Sequence, residues 1–331
     1  MKKLFTLTML LAATHAANAQ THGAMTFAGK AEFYVTSNDA KMGETAIETD
    51  TLVYDGASSS FILPQMTYGN MTIPSFTIEG ATQTSAGYAG VTWEDTSFSS
   101  TTSEGKTITG SALNGSFTHD GGIYRLKLSV TFNYGTMPMP ITYNIDAFYV
   151  KPTTKAVKVT VAGAEYVNDA VTYDARLYLE DEQTKLDIAI HGFTLENTAM
   201  GDLSLGAYTV KGLVYDEERE AYFRDYTQDG LSFHFTTSGG VDSDYTFTKT
   251  GNILVKMDGT NIKYAENNFQ PGNMPFPISS TFGEEASTGI STVKPSANQD
   301  AEGATYTIGG LRTGSRQRGI LVRNGRKYLN R

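Results

Sequence analysis

Between Tyr124 and Phe132 the chain runs YRLKLSVTF, with Tyr124, Leu126, Leu128, Val130 and Phe132 alternating with Arg125, Lys127, Ser129 and Thr131. A period of two puts the first set on one face of an extended segment and the second on the other, so the run predicts a half-buried antiparallel strand. KLDIAIHGF repeats the pattern through Leu186, Ile188 and Ile190, and Tyr143, Ile145, Ala147 and Tyr149 repeat it again. DEEREAYFRDY, from Asp216, carries good helix formers instead. Its counterpart in the internal repeat described next, SAGYAGVTWEDTSF from Ser85, has glycines and β-branched residues that favour a hairpin. Glu217 to Glu220 is therefore expected to be a charged turn between two strands.

The phrase MPMP at Met137 returns as MPFP at Met274, 137 residues later. Pro138 and Pro140 restrict φ, remove two backbone donors and push the residue ahead of each into extended geometry. They predict a stiff entry to a strand at an edge or rim, with Met137 and Met139 filling irregular space. Three further echoes keep the same order. MTFAGKAEFYV from Met25 resembles VTVAGAEYV from Val159, TIEG at Thr77 resembles TVKG at Thr209, and HDGG at His119 resembles MDGT at Met257, at offsets of 134, 132 and 138. Chance could supply any one pair, but the ordered set predicts a tandem duplication. The expected copies are residues 20–152 and 155–283, each a complete folding unit.

The chain has 331 residues, 19 of them Tyr and 17 Phe, and no Cys. Without cysteine it can be neither a lipidated-cysteine lipoprotein nor a disulfide-stapled domain, and its core must hold it together. MKKLFTLTMLLAATHAANAQ has a basic start, an apolar run from Leu4 to Ala13 and small residues at Ala17 and Ala19. That is the pattern of a secretory signal peptide, residues 1–19, cleaved after Ala19. The apolar run is too short to span a bilayer. Residues 305–331 carry seven basic side chains and no acid, and the leader carries two, which leaves 17 basic against 35 acidic residues between them. A body of net charge −18 with a +7 tail is repelled by nucleic acid.

FILPQMTYGNMTIPSFTIEG, followed by GSALNGSFTHDGGIYRLKLSVTFNYGTMPMPITYNIDAFY, resembles the calycin-like (lipocalin-like) β-barrel domain of secreted Gram-negative bacterial proteins. The resemblance spans roughly Thr26 to Val150 and, more weakly, Val159 to Phe282, where MGDLSL stands in place of NMTIPS. It implies an all-β chain of two tandem antiparallel up-and-down barrels, whereas composition alone permits a sandwich equally well. Residues 284–304 are small and polar without alternation and are expected to be a linker. The basic tail, residues 305–331, has Asn324-Gly325 at the position of a two-residue hairpin turn. It is similar to the short C-terminal tails of type IX secretion substrates, which implies contact with that machinery. Its charge alone predicts adhesion to anionic polysaccharide or lipid at the cell surface.

No catalytic motif stands out. There is no His-Glu-x-x-His and no Gly-x-Ser-x-Gly, and His22, His119, His191 and His234 are scattered singly. EGKT at Glu104 lacks the upstream glycine of a phosphate loop, and Asp225 with Asp229, or Asp242 with Asp244, lack calcium-loop spacing. The sequence therefore nominates no enzyme, no metal and no cofactor. It leaves three readings: a protein holding a small apolar or amphipathic ligand in a barrel, a surface structural or adhesive protein with solid barrels, and an esterase or glycosidase with an unrecognised site. For the first, the expected ligand-binding residues are Trp93, Tyr124, Phe132 and Tyr143. The small residues Ser85 to Gly90 are expected to leave room beside Trp93, the single tryptophan.

If residues 305–331 are an address, a chain lacking them should accumulate in the periplasm, while Arg316→Gln with Arg318→Gln should still reach its normal site. Cell fractionation of the two variants checks this. Loss of localisation by the charge variant would make the tail an electrostatic anchor.

Overall fold

The computed structural model describes residues 23–284 except 36–39, 69, 88–89, 96, 121, 273 and 275, and in the tail four strands within 305–330. The expected leader, most of the expected linker and the Asn324-Gly325 turn lie outside the described residues. The chain divides into two compact units, one up to Glu285 and one from Ala286.

The described part of the first unit is all-β. Its N-terminal half contains β1 (Met25–Val35), β2 (Ala40–Asp55), β3 (Ser60–Leu63), β4 (Met66–Tyr68), β5 (Met71–Ile73) and β6 (Phe76–Ile78). There follow β7 (Gln83–Gly87), β8 (Gly90–Asp95), β9 (Phe98–Thr101), β10 (Thr107–Asp120), β11 (Ile123–Tyr134) and β12 (Ile141–Val161). Pairing runs antiparallel from β1 to β2, β3 and β6, and from β9 through β10, β11 and β12 back to β1. An isolated bridge, Phe76 with Thr102, joins the two runs.

The second half continues with β13 (Ala164–Glu180), β14 (Gln183–Ile190), β15 (Phe193–Thr198), β16 (Gly201–Leu205) and β17 (Tyr208–Asp216). It closes with β18 (Ala221–Asp225), β19 (Ser232–Thr237), β20 (Asp242–Asp258), β21 (Asn261–Pro271) and β22 (Ile278–Phe282). Here the pairing order is β12, β13, β14, β17, β18, β20, β21, β22 and β12 again, antiparallel throughout.

Alternation explains the interior. Leu126, Leu128, Val130 and Phe132 of β11 are buried, and so are Tyr143, Ile145 and Ala147 of β12 and Leu186, Ile188 and Ile190 of β14. Two apolar clusters result, one drawn from Met25 to Ala147 and one from Val157 to Phe282. β12 serves both. Its odd-numbered residues from Ile141 to Ala147 enter the first core, and Val157 and Val159 enter the second. Pro152 to Lys155, where the sequence puts the boundary between copies, lie inside this strand and pair with β13. Glu217 to Glu220 form the turn between β17 and β18, as the sequence predicts.

The proline phrases precede β12 and β22 rather than belonging to them. Each is closed in the same way. Met137 N–H donates to Tyr134 O at 3.1 Å and Asn133 Nδ2 donates to Met137 O at 3.0 Å. Met274 N–H donates to Pro271 O at 3.0 Å and Gln270 Nε2 donates to Met274 O at 2.6 Å. This turn folds Met137 and Met274 over their cores and sends Met139 outward, 46% exposed, so Met137 but not Met139 fills irregular space at the rim. TIEG begins in β6 and runs past its end, TVKG falls in β17, and HDGG and MDGT lie at the connections from β10 to β11 and from β20 to β21. The remaining echo does not superpose. Gly29 sits mid-strand, where an added Cβ would lie 2.2 Å from Asp146 O, whereas Ala162 and Gly163 form a hairpin turn with φ of 50° and 82°.

In the second unit β23 (Thr305–Thr307), β24 (Arg312–Thr313), β25 (Gly319–Arg323) and β26 (Arg326–Asn330) form a sheet in the order β24-β23-β25-β26. Arg323 pairs with Arg326, and β25 and β26 form one side of the four-stranded sheet.

The strand faces give a direct test. Leu128→Asp places an unpaired charge in the first core and should cost several kcal/mol, whereas Lys127→Asp, on the exposed face, should cost less than about 1 kcal/mol. Chemical denaturation of both variants measures the difference, and equal losses would mean the faces are reversed.

Candidate ligand site in the first half

β8 carries Trp93, β11 carries Tyr124 and Phe132, and β12 carries Tyr143. Trp93, Phe132 and Tyr143 are buried, while Tyr124 is half-buried. Trp93 meets Tyr54 and Phe61, each with ring centroids 5.0 Å away, and Tyr54 leads through Phe117, at 5.5 Å, to Tyr124, at a further 6.0 Å. Tyr143 packs edge-on against Phe33 at 4.8 Å and Phe132 at 5.0 Å. The four expected residues thus fall in two aromatic groups. Tyr124 stands at the edge of its group, beside a void of about 10 Å³ next to Tyr149 and Leu177, large enough for about one water molecule.

Room beside Trp93 has a different source from the one the sequence suggests. Ser85 and Ala86 of β7 are exposed, so they do not widen the interior. Gly115 of β10 does. It pairs with Trp93 on one side and Leu128 on the other, and a Cβ there would lie 2.5 Å from Leu128 Cδ2, 2.9 Å from Lys127 O and 3.3 Å from Trp93 Cε3. A side chain at 115 would collide first with Leu128 and Lys127 O and then press on the indole, so Gly115 lets Leu128 and Trp93 pack close together.

Polar bookkeeping separates the two interiors. In the second half Tyr226 OH donates to Asn267 Oδ1 at 2.7 Å and Asn267 Nδ2 donates to Tyr208 OH at 2.6 Å. Ser280 Oγ reaches Asn267 O at 3.4 Å. Burial holds the Tyr173, Tyr208 and Tyr226 hydroxyls above the ordinary tyrosine range, so this network stays protonated. In the first half Trp93 Nε1 and Tyr143 OH are buried with no hydrogen-bond partner among the described residues. Buried polar groups in folded proteins are nearly always paired, so two orphans in one core require an explanation.

Register places these two groups. Trp93 pairs with Gly115, Gly115 with Leu128 and Leu128 with Ile145, while Tyr143 is the next inward residue of β12. The donors therefore stand on successive inward levels, with β10 and β11 between their strands. Indole N–H can only donate. Burial, and secondarily Tyr134, raises the Tyr143 hydroxyl well above its usual range, so it too is a permanent O–H. Burial and the adjacent Asp55 push Tyr54, in the Trp93 group, up to about 12. Both unpartnered groups therefore present a donor to a hydrogen-bond acceptor.

The other groups singled out in the sequence are engaged locally. Asp229 receives Arg224 Nε and Nη2 at 3.1 and 2.8 Å, Asp225 accepts from Thr227 N at 3.0 Å, and Asp244 and Asp242 flank His234 at 2.8 and 3.2 Å. These contacts, Asp244 foremost, raise the His234 pKa. Sequence reasoning missed Asp174 and Asp187, which are buried on the outward face of β13 and β14.

Gly115→Ala should lower stability by about 1–3 kcal/mol, because a Cβ has backbone on one side and packed side chains on the other. The Trp93 emission maximum should shift with it. A variant of unchanged stability and emission would show that Gly115 does not set the packing of Trp93.

No curated protein matches the chain. A crystal structure of a Bacteroides fragilis protein described as a "putative outer membrane protein" aligns over 82% of this chain and 99% of that one, at 15% identity and a TM-score of 0.29, a likeness too low to carry an argument. The sequence resemblance was fuller in the first half, but the family match falls on the second: residues 154–285 match the model of the calycin-like beta-barrel domain.

Proposed function

We propose that the chain is a non-catalytic binding protein of two tandem calycin-like barrels sharing β12, whose first barrel holds a small, mainly apolar molecule with a hydrogen-bond acceptor. The observation that carries this reading is the pair of unpartnered buried donors, Trp93 Nε1 and Tyr143 OH. An eight-stranded barrel is at the size where the interior is either filled by side chains or holds one small molecule. The aromatic surroundings of both donors suit an apolar body, and the donors suit a carbonyl, carboxylate or ether oxygen. Tandem barrels are supported by the common pairing order of the halves and by the identical closure of the MPMP and MPFP turns. The leader-like residues 1–19 and the basic tail support a secreted or cell-surface location, with the periplasm as alternative. The tail would contact the secretion machinery or the cell surface, and nucleic acid is not a partner.

A structural or adhesive protein with solid barrels is the second reading. The close ring packing around Trp93 and Tyr143 favours it, since aromatics at period two fill cores more often than they line cavities. Native mass spectrometry of protein from its own host, with Trp93 fluorescence on adding fatty acids, sterols or bile-acid-like amphiphiles, separates the two. Ligand binding predicts a mass excess displaced by one of these compounds and a change in Trp93 emission that Tyr143→Phe weakens. A bare mass and an unresponsive tryptophan would leave the solid barrel.

A further inference from the structure

A cleft of about 370 Å³ lies where the halves meet, between β1 and β2 on one side and β13, β14 and β17 on the other. Ile47, Val150, Ala189 and Leu231 give it an apolar wall. Its charged lining residues are Glu48, Asp174, Arg176, Asp187 and Lys211. Glu48 and Lys211 are exposed and of opposite sign, so they leave the rim close to neutral.

Asp174 and Asp187 are each 6% exposed. Asp187 is fully used: it pairs with the Arg176 guanidinium through Oδ2 and accepts the Gly212 N–H through Oδ1 at 2.7 Å. Arg176 is further held over the Tyr178 ring, 4.8 Å from its centroid. Asp174 differs. Its Oδ2 is 2.7 Å from His191 Nε2, and no described residue donates to Oδ1. A carboxylate largely withdrawn from bulk water, with one oxygen given no protein donor, favours a further donor entering from the cleft.

We infer that this cleft binds a small organic cation, a primary ammonium on a short aliphatic chain, with the ammonium on Asp174 and the chain along Val150, Ala189 and Leu231. The Arg176–Asp187 pair neutralises itself, and Asp174, held by His191 on one oxygen, is the acid left to take a further partner. The lining includes no aromatic ring, so it offers neither a stacking face for a sugar nor a cage for a quaternary ammonium. Among the described residues no three side chains are grouped to hold a metal ion. The acidic body raises the local concentration of cations.

Calorimetric titration of the full chain with butylammonium, and with n-butanol as its neutral counterpart, tests the inference. One saturable butylammonium site is expected, with butanol at least about tenfold weaker, and Asp174→Asn should cost at least about tenfold in butylammonium affinity. Ala189→Trp should block the cleft and abolish binding, and it decides the matter if Asp174→Asn does not fold. Neither variant should alter the response of Trp93 to amphiphiles, which keeps this site distinct from the first-half interior. No saturable binding, equal affinity for amine and alcohol, or butylammonium affinity unchanged by the folded variants would overturn it.

Discussion

The backbone ladder of β12 is the constraint on which the first unit depends. Its 21 residues pair with β11 up to Phe148, with β1 up to Val150, with β13 from Val150 onward and with β22 from Val157. Because side chains along a strand alternate with a fixed period, one unbroken strand ties the inward phase of the first half to that of the second. A one-residue slip anywhere in β12 would turn out both Tyr143 and Val157. The junction adds its own contacts on the opposite face of the strand. Arg125 binds Asp146, with Nε 2.7 Å from Oδ1, and lies over Phe148, whose ring is 6.0 Å from Tyr178; Tyr178 in turn lies beneath Arg176. Phe148 is buried among these contacts and Val150 lines the cleft, although alternation assigns both to the outer face.

Within that frame the two interiors solve the same packing problem differently. The second half buries polar atoms and pairs them through Asn267, a network that fixes Tyr208 and Tyr226 against each other. The first half buries fewer polar atoms and leaves two donors without partners. An unmade hydrogen bond in an apolar interior costs about 1–3 kcal/mol per group, enough that two of them are a substantial fraction of a domain's net stability. A molecule that accepts from either donor would remove that cost on binding, so the proposed ligand belongs in the apolar first core rather than the saturated second one.

Much of the architecture was legible in the chain because it rests on period two. The faces of Tyr124 to Phe132 and Tyr143 to Tyr149, and the turn at Glu217 to Glu220, follow from alternation and from the glycines of the counterpart segment. What failed depended on tertiary context. Met139 has the same parity as Met137, but the turn closed by Asn133 breaks the alternation between them. Ser85 and Ala86 are small, yet β7 does not turn them inward; the space beside Trp93 comes from Gly115, which no local pattern distinguishes from the other glycines. The AG echo marks a strand interior in one half and a hairpin in the other. Asp174 and Asp187 alternate with inward residues, so no local pattern marks them as buried; in the fold they line the cleft with residues of the other half.

The central claim, that Trp93 Nε1 is a donor awaiting an acceptor, is tested most directly by NMR of the indole N–H of ¹⁵N-labelled, ligand-stripped chain. One tryptophan gives one such resonance. The account predicts an upfield, non-hydrogen-bonded proton that exchanges slowly with water and moves downfield when an acceptor-bearing amphiphile is added. An indole proton already at a hydrogen-bonded shift in the stripped chain, and unmoved by every amphiphile, would contradict it.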